Sequence, residues 1–249
     1  MIDWNACLAQ AKLTSLTGVI LRLVESQEQV ATNQLVGSLE RQAVLEALLE
    51  TTKPRLRPGT ENLHYLLATP FRYPPLKHGS RFATRSDPSL FYGSLKTGTV
   101  LAEAAYYRFL FWYGMVAPPA GKLDTQHTVF GARYRTEKGV QLQNPPFFSY
   151  GDVIGSPAEY GPSQALGSVM RNAGVEAFEF ISARDPAQGV NVALFTPAAL
   201  QDVTPVCQEP WLCELSGRNV RFHAAHSGEF FSFSIDTFLV SGKLPHAAA

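Results

Sequence analysis

Apolar positions recur at two different periods along this chain, and the change falls near residue 60. Before it, "LVGSLERQAVLEALLE" sets Leu35, Leu39, Leu45, Leu48 and Leu49 at helical spacing, with Glu and Arg between them. Residues 5–50 are accordingly read as helices. "TTKPRLRPG" then interrupts the pattern, its two prolines and Gly59 marking a linker over residues 51–60. The division that follows is an N-terminal helical extension, residues 1–60, and a main domain, residues 61–249.

Beyond residue 60 short apolar runs alternate with Pro and Gly. One strong helix stands out, "VLAEAAYYRFLFWY" from Val100 to Tyr113, ended by Gly114. "SQALGSVMRNAG" predicts a second, with Ser163 as N-cap and Gly174 as the stop. "SLFYGS", "TVFGARYRT", "EAFEFISA", "VNVALFT", "NVRFHAA" and "FFSFSID" are β-rich or partly alternating and read as strands. There is no internal repeat. The predicted class is α+β, a mixed and mostly antiparallel sheet with a helical N-terminal region.

Composition narrows the partners. In 249 residues, hydrophobic side chains make up 45% and charged ones 17%, enough apolar material for a real core. The formal net charge is zero, which speaks against nucleic acid or an anionic membrane as a bulk electrostatic partner. Cys7, Cys207 and Cys213 form an odd set without a CxxC pair, so neither a disulfide framework nor a structural zinc site is expected. "MIDWNACLAQAK" does not read as a signal peptide. The longest apolar run, "FLFWYGMVA" from Phe109, is too short to span a bilayer. The expected location is cytoplasmic.

None of the standard phosphate-loop, dinucleotide, zinc-protease or serine-hydrolase motifs is present. His223 and His226 in "FHAAH" lack the helical context of a metal pair, and no metal is expected. Candidate chemistry lies instead in a constellation. "PFRYPPLKHGSRF" carries Arg72, Tyr73 and Arg81 in a stretch stiffened by prolines. Arginine's planar fork suits phosphate, and a stiff loop lowers the entropy lost in positioning it. Tyr73 and Tyr92 are flat platforms for a ring or strand aromatics in a core. Glu103, among Leu101, Ala102, Ala104 and Ala105, has the wrong offset for a capping box with Thr99. Such a carboxylate either faces solvent or is buried for a purpose.

The order of these pieces is more telling than any one of them. "PFRYPP", "HGSRF", "LFYGS", "VLAEAAYYRF" and "GPSQALGSVMRNAGVEAFEFISARDPAQGVNVALF" together resemble the RES-domain family, over about residues 63 to 222. The resemblance implies a fold similar to the ADP-ribosyltransferases. It also implies NAD⁺ as the substrate, consumed by phosphorolysis or hydrolysis of the nicotinamide–ribose bond, or used to modify a protein. By motif, it puts Arg72 and Arg81 on the pyrophosphate, Tyr73 or Tyr92 on the nicotinamide, and Glu103 at the sugar cation. Ser182 of "FISAR" is the family serine, with Ser163 of "GPSQ" as its rival. Phe82 stands where many family members have Trp, and the chain is longer than the compact members.

Characterised members are toxins held by a small, DNA-binding antitoxin, so the resemblance also implies a protein partner of that kind. A homo-oligomer is compatible with it. Three readings follow: a toxin that depletes NAD⁺, a protein ADP-ribosyltransferase with a specific target, and a non-enzymatic interaction module on the same fold.

Overall fold

The computed structural model describes residues 2–26 and 38–246. In chain order its helices and strands are α1 (Trp4–Gln10), β1 (Thr14–Glu25), α2 (Leu39–Thr52), α3 (Tyr65–Arg72), β2 (Phe91–Ser94), α4 (Thr97–Gly114), β3 (Leu123–Gln141), α5 (Gly151–Ile154), α6 (Gly161–Asn172), β4 (Ala177–Ile181), β5 (Val190–Leu194), β6 (Cys207–Leu215), β7 (Asn219–Ala224) and β8 (Phe230–Ser234). The class is α+β. The strands form one sheet in the order β1-β2-β5-β4-β3-β6-β7-β8. Among the described residues only the β3–β4 pair is parallel.

Two features of this sheet position the site. β3 is long enough to pair β1 along most of its length, β4 at its far end and β6 at its near end. β1 pairs β2 as well, with Leu21 opposite both Ser94 and Gly131. The strands β1, β2, β5, β4 and β3 thereby close on themselves. Gly93 permits the β1–β2 contact, because a Cβ there would stand 2.4 Å from the Leu21 carbonyl oxygen.

Alternation along the strands sorts side chains into separate cores. In β4, Phe178 and Phe180 pack with Phe82, Phe195, Leu166, Met170 and Trp4 of α1. Ala177 faces the other way, to Phe130, Tyr134, Ile20, Phe91 and Leu194. α4 lays Leu101, Ala105, Tyr106 and Phe109 on Trp211, Leu215, Val220 and Phe222 of the β6–β7 end. Fully burying one such side chain contributes about 1.5–3 kcal/mol of transfer free energy.

The strands expected at residues 128–136, 176–183, 190–196, 219–225 and 230–236 are found as β3, β4, β5, β7 and β8, and α4 spans the expected aromatic helix. The front of the chain needs correction. Residues 14–25, expected within a helical stretch, form β1. Thr14, Thr17, Val19, Ile20 and Val24 are β-branched and favour extended backbone. Of the leucines at helical spacing, Leu39, Leu45, Leu48 and Leu49 belong to α2, and Leu35 lies outside the described residues. Arg72 is not in a loop but ends α3, a helix that tolerates Pro70. Ser163 is not an N-cap: α6 begins two residues earlier at Gly161, with Pro162 in its first turn. Gly174, with φ +76°, stops α6 as expected, its N–H donating to the Arg171 carbonyl. Among the described residues no helix is long and apolar enough to cross a membrane.

Candidate functional site

Glu103 sits on α4 beside a cavity of about 350 Å³. Its Oε1 accepts two hydrogen bonds, from Ser182 Oγ at 2.6 Å and Asn191 Nδ2 at 2.7 Å. Its Oε2 has no protein partner among the described residues. The carboxylate is therefore fixed from one side while its second oxygen is unclaimed.

Both anchors are themselves held. Asn191 Oδ1 accepts from Ser94 Oγ on β2. Ser182, just past β4, accepts from the backbone N–H groups of Arg184 and Asp185, so its own proton is directed to Glu103. Asp185 in turn accepts from Thr99 in the first turn of α4 and from Gly189 N–H. This loop and the start of α4 are thus one unit, and Glu103 stands one turn further along the helix.

The opposite wall is a tight turn at residues 79–83. Ser80 and Ala83 form a bridge, and Gln164 Nε2 of α6 donates to the carbonyls of His78 and Ser80. Gly167 lets α6 approach, since a Cβ there would stand 2.0 Å from the Phe82 carbonyl oxygen. Tyr92 of β2 ties the turn to the sheet: its hydroxyl accepts from Phe82 N–H at 3.2 Å and bonds Ser80 Oγ at 2.9 Å. Burial pushes that hydroxyl up to about 12, partly offset by its hydrogen bonds, so it stays protonated at neutral pH. Arg81 projects from the turn. Its Nη1 donates to the carbonyls of Ile154 and Ser156, and its guanidinium lies 4.5 Å from the Tyr160 ring centre.

Arg22 completes the cavity from β1. Its Nη1 donates to the Tyr92 carbonyl at 2.7 Å, and the guanidinium stands 5.7 Å from the Phe91 ring centre. Its Nε is sealed from solvent and has no hydrogen-bond partner among the described residues. Desolvation lowers its pKa to about 10, which leaves it charged at neutral pH. Arg22 and Arg81 both meet carbonyls and rings in place of carboxylates. A site with two such cations and one carboxylate favours an anionic ligand.

The structure therefore brings together Arg81, Tyr92, Glu103 and Ser182, and leaves two expected residues apart. Arg72 turns away at the end of α3, with Nη1 2.7 Å from Glu50 Oε1 and Nε donating to the Pro54 carbonyl. Tyr73 is exposed, and its carbonyl accepts from Ser89 Oγ. Neither lines the cavity. Ser163 is fully buried and donates to the Arg81 and Tyr160 carbonyls, so of the two serines it is Ser182 that meets Glu103.

Sequence reasoning passed over Arg22, Tyr107 and Asn191, all in the cavity wall. Each left a signal. Arg22 is a lone charge in the apolar run "GVILRLV", Tyr107 follows Glu103 by one helical turn, and Asn191 interrupts the apolar strand "VNVALF".

A larger hollow of about 1510 Å³ lies between α2 and the β6–β7 end. There the charges pair among themselves: Lys122 meets Asp124 and Glu214, and Glu214 also meets Arg221. Among the described residues no group of three or more His, Cys, Asp or Glu is placed to hold a metal ion.

The sequence model of the RES domain family matches residues 55–215, well over half of the chain, and the chain belongs to that family. No curated protein sequence matches it. The matched span includes Arg81, Tyr92, Glu103, Ser182 and Asn191, while Arg22 lies ahead of it.

Proposed function

We propose that this RES-domain protein breaks the bond between nicotinamide and ribose in NAD⁺, and acts in the cell as a toxin-type enzyme that depletes NAD⁺. The observation that carries the reading is Glu103, fixed through one oxygen by Ser182 and Asn191 in a cavity whose two cations lack carboxylate partners among the described residues.

NAD⁺ joins a cationic ring and a diphosphate through two riboses, and the cavity chemistry suits each part. Arg22 and Arg81 bind the diphosphate, Arg81 by exchanging its carbonyl contacts for phosphate oxygens. Tyr92 and Tyr107 offer electron-rich faces to the nicotinamide. As the ribose C1–N bond breaks, its electron pair leaves with nicotinamide, which becomes neutral. Positive charge gathers on the sugar, and the Glu103 carboxylate stabilises it. An oxygen of the acceptor then bonds to C1 and releases a proton. Ser182 and Asn191 hold the carboxylate's rotamer, so little reorganisation is needed as charge develops.

The reading brings a partner and a place with it: a small DNA-binding antitoxin, and the cytoplasm where NAD⁺ is found. A net charge of zero is compatible with a protein partner and gives no support to direct nucleic-acid binding.

The test is mass spectrometry of NAD⁺ incubated with the purified protein, with and without phosphate. Nicotinamide with ADP-ribose-1″-phosphate means phosphorolysis, and nicotinamide with free ADP-ribose means hydrolysis. Intact NAD⁺ in both tubes overturns the depletion reading. A labelled protein on addition of cell lysate then establishes ADP-ribosyl transfer in its place.

A further inference from the structure

The cavity at Glu103 encloses about 350 Å³, at the small end of the roughly 300–1,000 Å³ typical of small-molecule sites. The half of a dinucleotide that carries the reacting ribose fills it. The second nucleotide has to lie against surface outside. α4 supplies such a surface. Ala104 and Tyr107 line the cavity, and Phe111 follows Ala104 by seven residues. That is close to two full turns, so Phe111 stands at nearly the same angle, about 10 Å further along the helix axis.

Tyr107 and Phe111 are each 53% exposed, and neither belongs to the face that α4 buries in the core. Phe111 is nonetheless fixed. The Arg108 guanidinium lies 5.3 Å from its ring centre and is itself anchored to Thr125 Oγ1 at 3.1 Å and Glu25 at 3.5 Å. A ring backed by an anchored cation, with about half its surface in solvent, is a platform on which a nucleobase stacks.

We infer that Phe111, continuing from Tyr107, is the subsite for the adenine end of the dinucleotide, outside the cavity that holds the reacting half. The inference rests on the NAD⁺ reading above and extends it to substrate selection. The platform favours a substrate with a second base over a mononucleotide with the same reacting half.

The experiment is calorimetric titration of ADP-ribose and of ribose 5-phosphate into the full-length protein, its Phe111→Ala variant and its Phe111→Trp variant. Phe111→Ala weakens ADP-ribose binding about tenfold, and Phe111→Trp retains it. Ribose 5-phosphate binding changes by less than about twofold in either variant. ADP-ribose affinity unchanged in Phe111→Ala, an equal loss for both ligands, or no ADP-ribose binding by the unmodified protein overturns the subsite. Nicotinamide release from NAD⁺ is read on the same unmodified preparation. Binding of ADP-ribose through Phe111 without nicotinamide release sinks the cleavage reading and leaves the subsite standing.

Discussion

The two hollows of this molecule treat charge in opposite ways. In the larger one, beside β6 and β7, Lys122, Arg221, Asp124 and Glu214 neutralise one another at the surface. In the smaller one, among the described residues, Arg22 and Arg81 meet only carbonyl oxygens and ring faces, and the single carboxylate, Glu103, bonds to neutral groups. Lack of an acidic partner does not by itself make a site. Arg57 also holds carbonyls, of Ser89 and Phe195, but it ties loops down and lines neither hollow. What separates the smaller hollow is unneutralised cations, a fixed carboxylate and an open volume in one place. Size alone would have selected the other hollow.

The contrast is broken or sharpened by substitutions on each side. The largest effect is expected at Glu103. Glu103→Gln keeps the shape and removes the charge, and nicotinamide release from NAD⁺ should fall by at least about 100-fold. Undiminished turnover would remove the carboxylate from the chemistry.

A smaller effect belongs to the β6–β7 side. His127 of β3 is buried, edge-on to Phe222, with Nε2 bonded to Thr125 Oγ1. Burial, with Arg108 nearby, lowers its pKa from 6.5 to about 4. Above pH 6.5 the imidazole is neutral in folded and unfolded chains alike. Between pH 6.5 and about 4 the unfolded chain takes up a proton that the folded chain refuses, so stability declines as pH falls through that window. Between pH 7 and pH 4.5 the loss is about 2–3 kcal/mol. Urea denaturation at pH 7 and pH 4.5 measures it, and His127→Gln should flatten this contribution. An unchanged pH slope in the variant would assign the loss to other groups.

Next come the two arginines that sequence and structure rank differently. Arg22→Met should lower kcat/KM for NAD⁺ by about tenfold or more, through the lost charge-assisted contact. Arg72→Ala should leave it nearly unaltered, because Arg72 is engaged with Glu50 and Pro54. Equal losses would break the comparison. The smallest effect is expected for Glu214→Ala, which removes exposed ion pairs at the larger hollow. Turnover and melting temperature should barely move.

How far the sequence could be read follows from what each prediction depended on. α4 and the strands from β3 to β5 were legible because their apolar periods and Gly stops are local. Glu103, Arg81, Tyr92 and Ser182 were legible through the order of short motifs. β1 was lost when the helical reading of α2 was carried back over β-branched residues, and Arg22 was lost with it. Arg72 was misplaced because its direction depends on where α3 ends and what α2 presents, and neither is encoded in the motif around it. The choice between Ser182 and Ser163 is a tertiary fact. Both are preceded by plausible sequence, and only the loop tied to Thr99 brings one of them to Glu103.

β1 has a consequence for how the protein is made. It leaves the ribosome well before its long partner, which ends at Gln141, and before Asn191, the last residue of the cavity wall. Until those are translated, Arg22 has no strand to hold it and Glu103 no amide to fix it. Chain growth is directional and long-range pairing waits for the later strand. A nascent or prematurely ended chain therefore carries the early residues of the site without the site itself. The cavity wall is complete only once Asn191 has been added to the growing chain.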